Sequence, residues 1–201
     1  MLQTQQADQI VFTLCVNISH TGVYKGGTSI LLIRMLLKFD ACHRQFWGFD
    51  SFEGLPVSVA QDFSGHLSKG SKGQYSASES VIYNNLKKFH AHNTDIVHIT
   101  KGFFNETLPV SPIPSIAFLR LDGDVFTSTW DALEHLYPKV VPGGYIYIDD
   151  YDSFNGCKAA VDLYRVEKEV SEPLIRILEG KRPSQRMKRE YEAVWWQKRL
   201  D

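Results

Sequence analysis

Carboxylates gather at the ends of two apolar runs in the stretch 116–152. The first run, Ile116–Leu121, leads into Asp122 and Asp124; the second, residues 145–148, leads into Asp149 and Asp150, with Asp152 just beyond. Between them, residues 127–136 carry a helical pattern and Pro142-Gly143-Gly144 reads as a turn. Strand, helix, strand in that order makes a parallel crossover, which brings both strand ends to one edge of a sheet. Neighbouring strands lie ~5 Å apart, so Asp122 and Asp149 can reach a single cation. Carboxylates this close repel unless they share a metal ion or a proton. Oxygen ligands of this kind favour Mg²⁺ or Ca²⁺ over zinc, and a divalent cation beside a carboxylate base can activate a hydroxyl as a nucleophile.

Other chemistry-bearing residues fall at similar places. Gly22, Gly26 and Gly27 lie in a turn (GVYKGGTS) after a strand expected over residues 10–18 and before a helix over 29–39, with Thr28 or Ser29 as its cap. Such a turn lets a ligand approach the backbone and offers the free N–H groups of a helix start. It is neither GxGxxG nor a P-loop, and alone it is equally a structural turn. Asp50 closes a short strand, 45–49, where an acid suits a ribose diol. Gly102 follows a third strand, 95–100. Asp124 and Asp152 each precede a helix; capping is the reading for Asp124, and capping or proton acceptance for Asp152.

The elements that must position these residues alternate strand and helix, with further helices over 79–89 and 157–170 and closing strands over 174–178 and 192–197. That alternation implies an α/β fold with a parallel sheet covered on both faces, and ligands at its carboxyl edge. The site residues converge there. Trp195 and Trp196 should face opposite ways on the last strand. The polar stretch 57–76 is too long for a simple connection and reads as a lid.

The chain of 201 residues suits one domain, residues 1–201. Its net charge of −1 gives no reason to expect nucleic acid or membrane as partner. The 3 cysteines lack ligand spacing or an even count, which points to a reducing, cytoplasmic setting. No apolar run is long enough to span a bilayer.

GVYKGGTS, FWGFDSFEGLP, KGFFNETLP and LRLDGDVFTSTWDALEHLYPKVVPGGYIYIDDYD, in this order, resemble the macrocin O-methyltransferase family over about residues 20–165. The resemblance implies a Rossmann-like class I methyltransferase with a mostly parallel seven-stranded sheet, a terminal antiparallel strand and helices on both faces. It implies S-adenosylmethionine and Mg²⁺ as cofactors and a sugar or natural-product hydroxyl as acceptor. Carried onto this chain, Gly22, Tyr24, Gly26, Gly27 and Thr28 hold the amino-acid end of the donor. Asp50 and Ser51 hold its ribose, Gly102 and Phe103 lie near its adenine, and Asp122 borders both donor and metal. Asp122, Asp149 and Asp150 bind Mg²⁺, and Asp152 takes the proton. His20 stands where the family carries an acid, and the N-terminal segment, which in relatives covers the acceptor and supports oligomers, reads as shortened or divergent. These two departures motivate an alternative, a non-catalytic binding module with a methyltransferase fold that has lost its cofactor. A less favoured alternative takes LDGDVFTST as the DxD strand end of a haloacid dehalogenase-like phosphatase.

Overall fold

The computed structural model describes residues 16–39, 44–178 and 191–200. The sheet has seven strands: β1 (Asn17–Thr21), β2 (Phe46–Asp50), β3 (Val97–Lys101), β4 (Ile116–Leu121), β5 (Val140–Ile148), β6 (Ile175–Leu178) and β7 (Tyr191–Gln197). Their order is β3-β2-β1-β4-β5-β7-β6. β1 to β5 pair in parallel, and β7 runs antiparallel to both β5 and β6. The order reverses at β1, whose two edges are taken by β2 and β4; this switch point opens a crevice at the carboxyl edge.

The helices are α1 (Gly27–Phe39), α2 (Glu79–Lys88), a short α3 (Phe104–Thr107), α4 (Phe126–Leu136) and α5 (Asn155–Glu167). They cover both faces, because the parallel strands are apolar on both. Phe46 packs with Ile33 and Leu36 of α1 and with Ile82 and Leu86 of α2. On the opposite face Leu119, Leu121, Ile146, Ile148 and Trp196 pack with Leu133 and Leu136 of α4 and with Val161 and Tyr164 of α5. Trp196 is fully buried while Trp195 is only half-buried, as the two-residue period of a strand requires. Burying a side chain of this size is worth roughly 2–3 kcal/mol.

Three features depart from the sequence expectation. Of the strand expected over 10–18, residues 10–15 lie outside the described residues, and β1 itself extends to Thr21. Its polar side chains are buried, which hides it from an apolar pattern: Asn17 bonds the Ser115 carbonyl and the Gln45 amide, at 3.1 and 3.0 Å. Pro142-Gly143-Gly144 lies within β5, not in a turn before it. There the register jumps from Ile116↔Val140 to Phe118↔Tyr145, so extra β5 residues bulge out. Gly143 and Gly144 exchange backbone hydrogen bonds with Lys198, and a side chain at 144 would press within 2.7 Å of Val140. Finally, α1 begins at Gly27, which places Thr28 and Ser29 inside the helix rather than at its cap.

Candidate active site

The strand ends do not fray into the crevice; their pairing continues one residue further. Gly22 N–H donates to the Phe49 carbonyl (2.8 Å), Gly102 to Asp50 (3.0 Å), Asp122 to Thr21 (3.2 Å) and Asp149 to Leu121 (2.9 Å). Four residues of the expected site are therefore held by the sheet. Gly22 is obligatory: its φ is +80°, and a Cβ there would lie 1.7 Å from the Asp122 carbonyl oxygen.

Asp50 shapes the glycine turn. One carboxylate oxygen accepts the Tyr24 N–H (2.8 Å) and the other the Phe52 N–H (2.6 Å). A carboxylate has about four lone-pair sites, so acceptor capacity remains for a diol. Burial pushes its carboxyl above the ordinary value, the two amides oppose this, and the charge of Asp122 adds to it. Ser51 is occupied in the same turn, donating to the Gly54 carbonyl at 2.9 Å.

The cavity over this edge has a volume of about 270 Å³. Gly22, Tyr24, Asp50, Ser51, Phe103 and Asp122 line it, together with Asp124 and Asp150. Apolar walls come from Leu55, Phe104 and Phe154. Gly26, Gly27, Thr28 and Gly102 do not line it; Gly26 packs against Ile82 of α2. Tyr24, Tyr75 and Asp124 of the lining hold positive φ of 48°, 60° and 58°, conformations that cost non-glycine residues energy and collect at functional sites.

Ligand atoms of Asp122, Asp149 and Asp150 lie within 4.8 Å of one another. Arg120, absent from the sequence expectation, reaches between two of them: Nη1 bonds Asp122 at 2.6 Å and Nη2 bonds Asp149 at 2.8 Å. It was legible in principle. A charged residue in an otherwise apolar strand needs a partner, and Asp122, two residues on, shares its face. Burial pushes the Asp122 carboxyl up, and the Arg120 guanidinium 2.6 Å away pulls it down. Asp149 is raised by burial and by Asp122. Asp150 is raised well above its usual range by burial, then by Asp122, Asp124 and Asp149. Its Oδ2 is buried and meets no protein donor.

The structure separates the two acids expected near helix starts. Asp152 lies outside the cavity lining and accepts the Arg176 Nε–H at 2.8 Å. Asp124 lines the cavity, and burial followed by the charges of Asp122 and Asp149 raises its carboxyl to about 7. Asp124 does not cap α4. That service comes from Asp62 in the 57–76 stretch, whose carboxylate accepts the Phe126 N–H and the Val59 N–H, both at 2.8 Å. The same stretch is latched to α5: Asn155 bonds the amide and carbonyl of Leu67, and Ser68 bridges to Phe154. Only its far end, Gln74 and Tyr75, borders the cavity.

A parallel sheet reversed at β1/β4, an antiparallel β7 between β5 and β6, and a glycine turn stapled by an acid at the end of β2 define a Rossmann-like methyltransferase. The chain belongs to the macrocin O-methyltransferase family, whose model, Macrocin-O-methyltransferase (TylF), matches residues 3–181. The chain is similar to demethyldecarbamoylnovobiocin O-methyltransferase of Streptomyces niveus, with 35% identity over 181 residues, 89% of this chain and 64% of that protein. It is also similar to the 8-demethyl-8-(2,3-dimethoxy-alpha-L-rhamnosyl)-tetracenomycin-C 4'-O-methyltransferase of Streptomyces olivaceus, with 37% identity over 161 residues, 78% of this chain and 60% of that one. The solved structure of the O-methyltransferase NovP superposes with a TM-score of 0.78 at 32% identity, covering 98% of this chain and 80% of that chain. The chain thus spans less than two thirds of the length of these two curated relatives. Membership of this family removes the phosphatase reading of LDGDVFTST. Among the described residues no helix is long and apolar enough to cross a membrane.

Proposed function

We propose that this chain transfers a methyl group from S-adenosylmethionine to a hydroxyl of a sugar or sugar-bearing natural product, assisted by Mg²⁺. The observation that carries this reading is the meeting, in one cavity, of a glycine turn stapled by Asp50 with the acids of β4 and β5. The relatives' names support it: both are O-methyltransferases, and one is named for a rhamnosyl tetracenomycin.

The residues suit both groups. Asp50 keeps acceptor sites for a ribose diol, and Gly22 lines the cavity beside it. Asp122, Asp149 and Asp150 would hold Mg²⁺; their converging oxygens and the orphaned Oδ2 of Asp150 make a hard, anionic site of that kind. When bound, the donor supplies an electrophilic methyl on sulfur, and the metal lowers the pKa of an acceptor hydroxyl.

The chain's own contribution is placement and a proton acceptor. Phe103, Phe104 and Phe154 give the cavity apolar walls. As the carbon–sulfur bond breaks and the oxygen–carbon bond forms, the hydroxyl proton goes to a carboxylate. Asp124 is the better acceptor, because it borders the cavity beside Asp122 and Asp150. Asp152, expected in this role from the family resemblance, lies outside the cavity lining and pairs with Arg176. His20 does not weigh toward a non-catalytic module. It is buried outside the cavity lining, bonded to Ser29 at 2.9 Å and to Arg120.

The test is incubation with methyl-labelled S-adenosylmethionine, Mg²⁺ and a panel of glycosylated acceptors. Label appearing in an acceptor and lost with chelator is the expected result. A folded protein that binds no donor favours the binding module and overturns the proposal, and one that binds the donor but labels no member of the panel counts against these acceptors.

A further inference from the structure

Arg120 is buried inside β4, yet it touches two of the three carboxylates assigned to the metal. The strand register explains how it is held there. His20 on β1 and Tyr147 on β5 are its direct cross-strand neighbours, so the three side chains form a row on one face of the sheet. On one side Nη1 donates to His20 Nε2; on the other the guanidinium lies 5.7 Å from the centre of the Tyr147 ring. Because His20 accepts from a permanent cation, its ring proton sits on Nδ1 and is donated to Ser29 Oγ, 2.9 Å away. The imidazole is therefore neutral. It aims the guanidinium without cancelling its charge, which falls entirely to Asp122 and Asp149.

We propose that Arg120 is a resident counter-cation, a positioning residue that holds Asp122 and Asp149 together when no divalent ion is bound and that competes with the ion for them. Two close carboxylates with no cation between them repel, so this fork keeps the site assembled before loading. The same positive charge weakens the attraction for a second cation. His20 sets the balance, since a carboxylate at that position would draw Arg120 to itself and release the pair. This inference rests on the metal reading above, and its test distinguishes the two.

The test is Mn²⁺ binding followed by electron paramagnetic resonance, with thermal unfolding midpoints, on the wild type, Arg120→Gln and His20→Glu. Arg120→Gln should lower the metal-free midpoint and bind Mn²⁺ on the order of tenfold tighter or more, the scale set by removing one partly buried unit charge beside the site. Mn²⁺ should raise its midpoint further than that of the wild type. His20→Glu leaves the guanidinium in place and should also tighten Mn²⁺ binding, so it decides the matter if Arg120→Gln does not fold. Binding that is unchanged or weaker in the folded variants overturns the competition while leaving the metal site standing. No Mn²⁺ binding by any of the three proteins overturns both.

Discussion

Replacing Asp62 with alanine should loosen two segments at once. Its carboxylate is almost fully buried and accepts hydrogen bonds from Val59 N–H in its own loop and from Phe126 N–H at the start of α4, each at 2.8 Å. Hydrogen bonds to a buried charged acceptor contribute roughly 1.5–3 kcal/mol each, and losing them also leaves two donors without partners. The residue additionally fills the space above Gly156, where a Cβ would lie 1.7 Å from Asp62 Oδ1. The expected loss for Asp62→Ala is therefore about 3–5 kcal/mol, with Asp62→Asn about half of that because its amide keeps one acceptor and loses the other. Urea unfolding followed by circular dichroism reads the change directly, and limited trypsin digestion should show faster cleavage at Lys69 and Lys72. An alanine variant within about 1 kcal/mol of the wild type would refute the idea that this latch fixes the 57–76 stretch to α4.

Three further outcomes follow from the same geometry. Asp124→Asn should reduce kcat by roughly 10²–10⁴-fold. In the wild type kcat/KM should climb with pH until the acceptor is ionised, and Asp124→Asn should remove that rise; a variant that keeps the wild-type pH dependence would count against Asp124. The raised carboxyl also links to stability. The folded state binds this proton more tightly than the unfolded chain, so its stabilising contribution is complete below the ordinary value of 3.8 and lost as pH rises through about 7, which denaturation midpoints across that window measure. Arg176→Ala breaks a partly exposed pair with Asp152 and should cost no more than about 1 kcal/mol, with activity within about threefold of wild type; a collapse of activity would return Asp152 to the reaction. Gly22→Ala forces a side chain onto the Asp122 carbonyl at a positive φ and should abolish donor binding or folding, read by thermal shift.

What could be read from the chain was whatever sits at a strand's end. Ile116–Leu121 is an apolar run closed by an acid, and its bounds as a strand agree with the expectation. The convergence of Gly22, Asp50 and Asp122 followed from alternation alone, because parallel strands deliver their carboxyl ends to one edge. What escaped depended on partners distant in sequence. Asp62 caps a helix 64 residues away, and nothing local in AQDF announces it. Asp152 finds Arg176 only because β6 packs nearby, 24 residues later. Asp124 looked like a helix cap because that is the commonest use of an acid before a helix, whereas Asp62 holds that bond here. The extension of β1 to Thr21 escaped because Ser19, His20 and Thr21 are polar yet buried, His20 bonding Ser29 of α1 and Arg120 of β4.

The central claim is that this sheet edge is a donor site shaped by Asp50. Calorimetric titration with S-adenosylhomocysteine, wild type against Asp50→Ala, tests it most directly. The account predicts one site per chain in the wild type and affinity weakened at least about tenfold in the variant, the scale of losing a charged hydrogen-bond acceptor. Folded wild type that binds nothing, or a variant that binds equally well, would contradict it.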